Sequence, residues 1–184
     1  MTITLHTWTS ADKTALMALC NAVDRTFLAD RLPNPYTEAD ADWWLGMVAE
    51  NEGKEGVWRA IVVDGQIVGS ISVERMADEL RDVGSIGYMI LTPFWSQGVG
   101  TEAVRQMCGI AFRELALDRI IGEVFPGNLA SARVLEKNGF QLEETRVGAV
   151  VKGGKAMIAS CKITLCASPA LFSTAFENHL NALT

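Results

Sequence analysis

From the N-terminus onward, the apolar positions of this chain switch several times between a two-residue and a 3.6-residue period, and each switch marks an element. Residues 3–8, ITLHTW, alternate and predict a strand. Leu16, Leu19, Cys20 and Val23 then fall on one helical stripe, with Ser10 in the N-cap position. After a loop carrying Pro33 and Pro35, Thr37 is placed to cap a second helix over EADADWWLGMVAEN, where Glu38 and Asp40 suit the positive end of the helix dipole. GVWRAIVVDGQIVGSISVER reads as two β-branched runs joined by Asp64-Gly65, a hairpin. VGSIGYMIL is a further strand, and Gly87 inside it marks a bulge or a close backbone approach.

From Gly100 onward, Val104, Met107, Cys108, Ala111, Phe112 and Leu115 keep helical spacing over about five turns. DRIIGEVF is the next strand, broken by Pro126-Gly127. Asn128 is placed to cap the short helix LASARVLEKN, and Gly139 to close it as a left-handed residue. FQLEETRVGAVV and KAMIASCKITL predict two last strands around a turn at Gly153-Gly154. The order βααβββαβαββ predicts an α/β protein with a mixed sheet flanked by helices. No repeat or low-complexity linker divides it, so residues 1–167 are expected to form one domain, with 168–184 a tail of helical pattern.

Composition narrows the function. A chain 49% hydrophobic and 21% charged is globular, and a net charge of −6 argues against a general nucleic-acid binder, which would carry a basic stripe. The N-terminal residues lack a basic start followed by an apolar run, and no stretch approaches the roughly 18 apolar residues of a membrane span. The expectation is a cytoplasmic protein with no membrane partner. Cys20, Cys108, Cys161 and Cys166 show neither CxxC pairing nor metal-like spacing with His6 or His179, which predicts reduced, buried thiols and no metal.

The candidate chemistry starts at Gly98 and Gly100, one residue apart at the mouth of the long helix. A helix N-terminus offers unpaired N–H groups and a partial positive charge, and glycines there let an anion approach without meeting a β-carbon. Phosphate is the obvious guest. No GKS or GKT comes next in the chain, which excludes the Walker form, and the preceding strand does not open a βαβ repeat, which excludes the dinucleotide form. Alone, the pair serves equally well as a plain turn.

The residues on either side of the pair carry more. GYMILTPFWSQGVGTEAV and, after one more strand, NLASARVLEKNGF resemble the two cofactor segments of the GNAT superfamily of N-acetyltransferases, in the branch that acetylates N-terminal alanine or serine of ribosomal and other proteins. RLPNPYTEADADWWL is similar to that branch's substrate-side loop, and the resemblance runs from residue 3 to residue 166. It implies the GNAT fold, with a splayed parallel pair made by the strands ending GYMIL and GEVF, and acetyl-coenzyme A as cosubstrate. Met89, Ile90 and Leu91 then meet the pantetheine amides and the acetyl carbonyl, with the Ile90 N–H at the oxyanion. Gln97, Gly98, Val99, Gly100 and Thr101 hold the pyrophosphate, and Asn128 and Ser131 complete the cofactor site. The implied acceptor is a primary amine, either a protein N-terminus or a small molecule such as a polyamine or an aminosugar. Arg31, Asn34, Tyr36, Trp43 and Trp44 are the residues placed to shape its pocket. Homodimers fit the same resemblance, with the tail from residue 168 available to the interface.

The chain also departs from the family. Trp95 stands at the first position of the pyrophosphate motif, where Gln or Arg is usual. Leu135 occupies the place of a tyrosine that in many relatives protonates the departing thiolate. Ser131, three residues after Asn128, matches the serine that serves this end in the ribosomal-protein branch, although a first-turn serine also satisfies backbone in any helix. Ser85 replaces a glutamate that often acts as base, which leaves Glu123 as the carboxylate nearest the split, against the plainer reading of an exposed strand residue. Glu74 and Asp82 read as solvated hairpin ends. Cys108 reads as core, so attack by the amine is expected to be direct. Adjacent Trp43 and Trp44 point about 100° apart, so one belongs to the core and the other is an exposed anchor or a pocket wall. The rivals are a non-catalytic acyl-coenzyme A-binding domain and a protein that uses the glycine loop for another nucleotide.

Overall fold

The computed structural model describes residues 1–125, 127–147, 151–152, 155–156 and 161–167, with side chains as far as Glu143. Strand β1 is Ile3–Thr7, helix α1 Lys13–Ala22 and helix α2 Glu38–Asn51. Strands β2, β3 and β4 are Gly56–Val63, Gln66–Arg75 and Val83–Ile90. Helix α3 is Val99–Leu115, β5 Arg119–Val124 and α4 Leu129–Lys137. Then come β6 Gln141–Val147, β7 Val151–Lys152, β8 Lys155–Ala156 and β9 Cys161–Ala167. Seven strands form one mixed sheet in the order β1-β2-β3-β4-β5-β9-β6, and β7 and β8 pair apart from it. The last predicted strand pair is therefore four strands, because β9 returns to insert between β5 and β6. The turn at Gly153-Gly154, the tail 168–184, Pro126 and the side chains of Cys161 and Cys166 lie outside the described residues.

Two layers of helix cover the sheet. On one face Val99, Val104, Met107, Ala111 and Leu115 of α3, with Ala132 and Leu135 of α4, pack on Val57, Ile61, Ile71, Val73, Ile86 and Ile120. On the other, Leu16, Leu19 and Cys20 of α1 and Ala41, Leu45 and Val48 of α2 pack on Trp58 and Ala60. Strand residues alternate between the layers, so Tyr88 faces the α3–α4 cluster and Met89 the α1–α2 cluster.

Local signals explain most boundaries. Asp64 and Gly65 both take positive φ, +48° and +86°, as a two-residue hairpin turn requires. α4 closes with Phe140 N–H on Leu135 O at 3.2 Å and Gly139 N–H on Glu136 O at 3.0 Å, a Schellman arrangement. Two expectations need correction. Ser10 does not cap α1: it lies inside the short 3₁₀ turn Ser10–Asp12 that leads into the helix, Thr9 caps that turn with its N–H donating to Asp12 Oδ2 at 2.8 Å, and Asp12 holds the N-cap position of α1. Gly87 makes no bulge, because β3 and β4 stay in register through Ser72↔Gly87 and a Cβ there would meet nothing within 4 Å.

At α2 the cap is as expected. Thr37 N–H and Oγ1 donate to Asp40 Oδ2 at 2.7 and 2.6 Å, and Asp40 N–H returns to Thr37 Oγ1 at 3.3 Å. The Thr37 hydroxyl, then its backbone N–H, hold the Asp40 carboxyl below its ordinary value of 3.8. A depressed carboxyl stabilises the fold above its unfolded pKa and loses that contribution as pH falls through the folded one. Loss of the N-cap hydroxyl in Thr37→Ala should cost about 1 kcal/mol in urea unfolding at neutral pH. The gap to the parent should narrow below pH 3.8. A gap independent of pH would mean that the Asp40 bonds do not contribute.

Candidate active site

β4 and β5 pair in parallel only from Val83↔Arg119 to Ile86↔Gly122. Gly87 to Ile90 continue in register with β3, while on their other side no strand is laddered to them among the described residues. The two strands part after Ile86 and Gly122, and α4 packs against Gly122, where a Cβ would stand 2.6 Å from Leu135 Cδ1. Leu91 N–H donates to Val68 O at 2.9 Å, which fixes the alternation along β4. Met89 N–H faces β3, and the Tyr88 and Ile90 N–H groups turn toward the split. The Ile90 carbonyl turns the same way and accepts from Trp95 Nε1 at 2.7 Å. The tryptophan at the unusual motif position thus holds the strand end, and the Ile90 N–H is the group offered to the split. Leu91 is corrected as a donor: its N–H is taken by Val68 and its carbonyl accepts from Phe94 N–H at 2.9 Å. Met89 is corrected likewise, since its amide faces β3.

Beyond the split, Gly98 is the N-cap of α3 with φ +83° and contributes no side-chain cap. A Cβ there would meet nothing within 4 Å, so the residue is demanded by conformation and the space above it is open. Glu102 N–H on Gly98 O, at 3.0 Å, is the first intrahelical bond, which puts the N–H groups of Val99, Gly100 and Thr101 ahead of the ladder. Glu102, an anion in the first turn, is bound by Arg105 at 2.8 and 2.6 Å and by Gln106 at 2.8 Å. Gln97 is exposed, with Nε2 folded back on Pro93 O at 2.6 Å, so its backbone is what it presents. Gly100 is corrected: a Cβ there points into the protein, at 3.4 Å from Ile90 Cδ1 and from Val134 Cγ2. A Cβ there would be in ordinary contact with the core, so a side chain at this position points away from any anion that approaches the helix start.

α4 faces the same split. Asn128 Oδ1 accepts from Ser131 N–H at 3.1 Å and so caps the helix. Asn138, at its far end, donates to Thr101 O at 3.1 Å and ties α4 to the start of α3. The half-buried Ser131 has its Oγ 2.8 Å from the Tyr88 hydroxyl, which also lies 3.3 Å from Ser131 O. Burial pushes the Tyr88 phenol up to about 12, against a smaller lowering by the Ser131 bond. Tyr88 is the residue that sequence reasoning missed. Its strand and face were legible, but the partner across the split was not.

Among the carboxylates, Glu123 is exposed and lies one residue past the last parallel pair, on the face opposite the buried Val124. Continuing that register sets it beside Gly87 at the apex of the split. Ser85 stands opposite Glu74 in register. Glu74 is no solvated hairpin end: its Oε1 accepts from Ser72 Oγ at 3.1 Å and from Trp58 Nε1 at 3.3 Å. Asp82 is exposed. Cys108 is fully buried and burial pushes its thiol up, while Cys20 is pushed up to about 12 by the same cause, so neither supplies a nucleophilic thiolate.

Residues 2–141 match the family model of the acetyltransferase (GNAT) domain. The chain belongs to the GNAT acetyltransferase family. It is 40% identical over 80 residues to the probable N-acetyltransferase YjcK of Bacillus subtilis, covering 44% of each chain. It is 34% identical over 120 residues to the putative ribosomal N-acetyltransferase YdaF of the same species, covering 64% of this chain and 63% of that one. The chain thus spans about half to two thirds of these relatives. Mycobacterium smegmatis RimJ, solved with a coenzyme A disulfide, shares the fold at a TM-score of 0.76 with 16% identity, over 91% of this chain and 82% of that one.

On the α1–α2 side of the sheet, the residues singled out in the sequence for an acceptor pocket separate. Tyr36 is 5% exposed, its backbone held by Asn21 at 2.9 and 3.0 Å, and is corrected to core. Trp44 packs edge-on against Trp8 at 5.6 Å between ring centroids, while Trp43 is 71% exposed. Arg31 and Asn34 are exposed on the loop between α1 and α2, where Asn34 borders a cavity of about 330 Å³. Arg25 ties that loop together, donating to Leu32 O, Pro33 O and Cys20 O at 2.8, 2.7 and 3.0 Å. Among the described residues no cluster of His, Cys, Asp or Glu could hold a metal, and no helix is long and apolar enough to cross a membrane.

Proposed function

We propose that this chain is an acetyl-coenzyme A-dependent N-acetyltransferase acting on a primary amine, with a protein N-terminal alanine or serine as acceptor. The observation that carries the reading is the parting of β4 and β5 beside the uncapped start of α3. That arrangement offers the Ile90 N–H and the first N–H groups of α3 to one elongated, anionic-ended guest. Acetyl-coenzyme A, when bound, supplies the acetyl group as a thioester. Gln97 to Thr101 bind the pyrophosphate through backbone N–H groups, with Gly98 keeping their approach open. Ile90 N–H donates at the acetyl oxygen, where negative charge develops. Ser131 holds a proton at Oγ for the departing sulfur, and Glu123 is the carboxylate placed to take the proton of the amine. The amine itself is the nucleophile, and the buried Cys20 and Cys108 thiols take no part. The choice of acceptor is supported by the likeness to YdaF and by the substrate-side loop before Trp43.

The test begins with thermal shift against acetyl-coenzyme A, coenzyme A, ATP and NAD. A ligand at 100 times its Kd adds about 2.7 kcal/mol, several degrees here. Acetyl-coenzyme A and coenzyme A should shift the midpoint, and ATP and NAD should not. Thiol release is then followed with peptides beginning Ala or Ser, a polyamine and an aminosugar, and should be fastest with the peptides. No shift with acetyl-coenzyme A overturns the reading. A shift without amine-dependent release makes the chain an acyl-coenzyme A-binding domain, and release with the polyamine or aminosugar alone makes the acceptor a small molecule.

A further inference from the structure

We propose that Tyr88 is the positioning residue for Ser131: its hydroxyl, 2.8 Å away across the split, holds the Ser131 hydroxyl in one rotamer with its own hydrogen free for an acceptor between the strands. The proposal rests on Ser131 acting at the departing sulfur. The Tyr88 ring is packed in the α3–α4 cluster, where phenylalanine would fill the same volume. The oxygen is what needs an explanation, and among the described residues its two hydrogen-bond contacts are both on Ser131.

A phenol carries one hydrogen, and Ser131 Oγ at 2.8 Å is a better acceptor position than Ser131 O at 3.3 Å. Donating there occupies one lone pair of Oγ and leaves the serine hydrogen uncommitted. Burial keeps the phenol protonated throughout the neutral range, so the donor is permanent. Asn128, through the Ser131 N–H, fixes the backbone of the same residue. With backbone and hydroxyl both held, a side chain that otherwise samples three rotamers is restricted to one.

The test compares Tyr88→Phe, Ser131→Ala and the double variant in the full chain. Tyr88→Phe should lower kcat about five- to tenfold, the worth of one neutral hydrogen bond, with KM and calorimetric affinity for coenzyme A unchanged within twofold. Ser131→Ala should lower kcat at least as much, and the double variant no further than Ser131→Ala alone. The chain has two tyrosines, so the ζ-carbon signal of Tyr88 is identified in a Tyr36→Phe background. It should move on Ser131→Ala both with and without coenzyme A. Additive losses, or weaker coenzyme A binding in Tyr88→Phe, make the tyrosine a packing or binding residue and overturn the proposal. A Tyr88 signal insensitive to Ser131→Ala once coenzyme A is bound means the pair has parted, and overturns it too. An unchanged kcat in Ser131→Ala removes instead the role of the serine given under Proposed function, and this inference falls with it.

Discussion

Gly98→Val should weaken coenzyme A binding about 100-fold. Gly98 sits at φ +83° over open space, directly before the uncapped donors of α3. A β-branched residue resists that conformation by about 1–3 kcal/mol and places methyl groups where the anion approaches. If the chain relaxes, the N–H groups of Val99 and Gly100 turn away. If it does not, the guest is held off. Losing two charge-assisted hydrogen bonds at about 1.5 kcal/mol each gives about 3 kcal/mol, or roughly 100-fold in Kd. Calorimetry with coenzyme A measures this, and acetylpantetheine, which lacks the phosphates, should bind parent and variant alike. Equal losses for both ligands would point to general damage, and retained coenzyme A affinity in a folded variant would take the pyrophosphate away from this loop. Gly100→Ala, by contrast, should bind normally, because its Cβ falls at ordinary contact distance inside the protein.

The fold was legible where one physical signal dominates. Asp64-Gly65 admits few alternatives to a hairpin, and the α3 stripe from Val104 to Leu115 matches the buried set, with Phe112 half-buried at its edge. The Thr37 and Asn128 caps were legible for the same reason, a short oxygen-bearing side chain just ahead of a helical pattern. Thr9 was missed because Ser10 has equal capping chemistry, and the choice rests on Asp12 lying three residues after Thr9. The final strands were miscounted because their order in the sheet, with β9 between β5 and β6, is a long-range pairing that leaves no trace in local periodicity.

The site was legible as a loop and not as a set of contacts. The run of residues around Gly98 points to a helix start open to an anion, yet spacing alone assigns Gly98 and Gly100 the same role, and the direction of a missing Cβ separates them. Which amides of β4 face the split depends on the hydrogen-bond phase set by Leu91 and Val68, one residue either way reversing the answer. Tyr36 looked like a pocket residue because it lies in a polar loop, whereas Asn21, fifteen positions earlier, draws it into the core. Trp95 departs from the Gln or Arg usual in the family motif, and its bond to the Ile90 carbonyl depends on a fold-back over five residues that the motif position does not announce.

Gly69→Ala should be the costliest added methyl group among the described glycines, and its effect should reach the site. A Cβ at Gly69 would lie 2.5 Å from Met89 O, a backbone atom, with Ile61 Cδ1 at 3.1 Å and Ile90 Cγ1 at 3.2 Å. A side chain can swing away, but a strand carbonyl moves only with its strand, so β4 must shift at Met89 and Ile90. Overpacking of this kind costs about 2–3 kcal/mol, and for a chain of this size that lowers the unfolding midpoint by roughly 5–10 °C. The shift displaces the Ile90 N–H, and a misplacement of about 1 Å near a reacting centre costs up to about 10²-fold. The folded fraction of Gly69→Ala should accordingly lose more than about tenfold in kcat/KM, on top of its lost stability. Gly87→Ala is the control on β4 itself: with nothing within 4 Å of its Cβ, its stability should stay within about 0.5 kcal/mol of the parent. If the two variants melt together, the close approach of β3 to the Met89 carbonyl carries no packing cost and the prediction fails. If Gly69→Ala melts early but turns over normally once folded, the Ile90 amide is not the donor that the reaction uses.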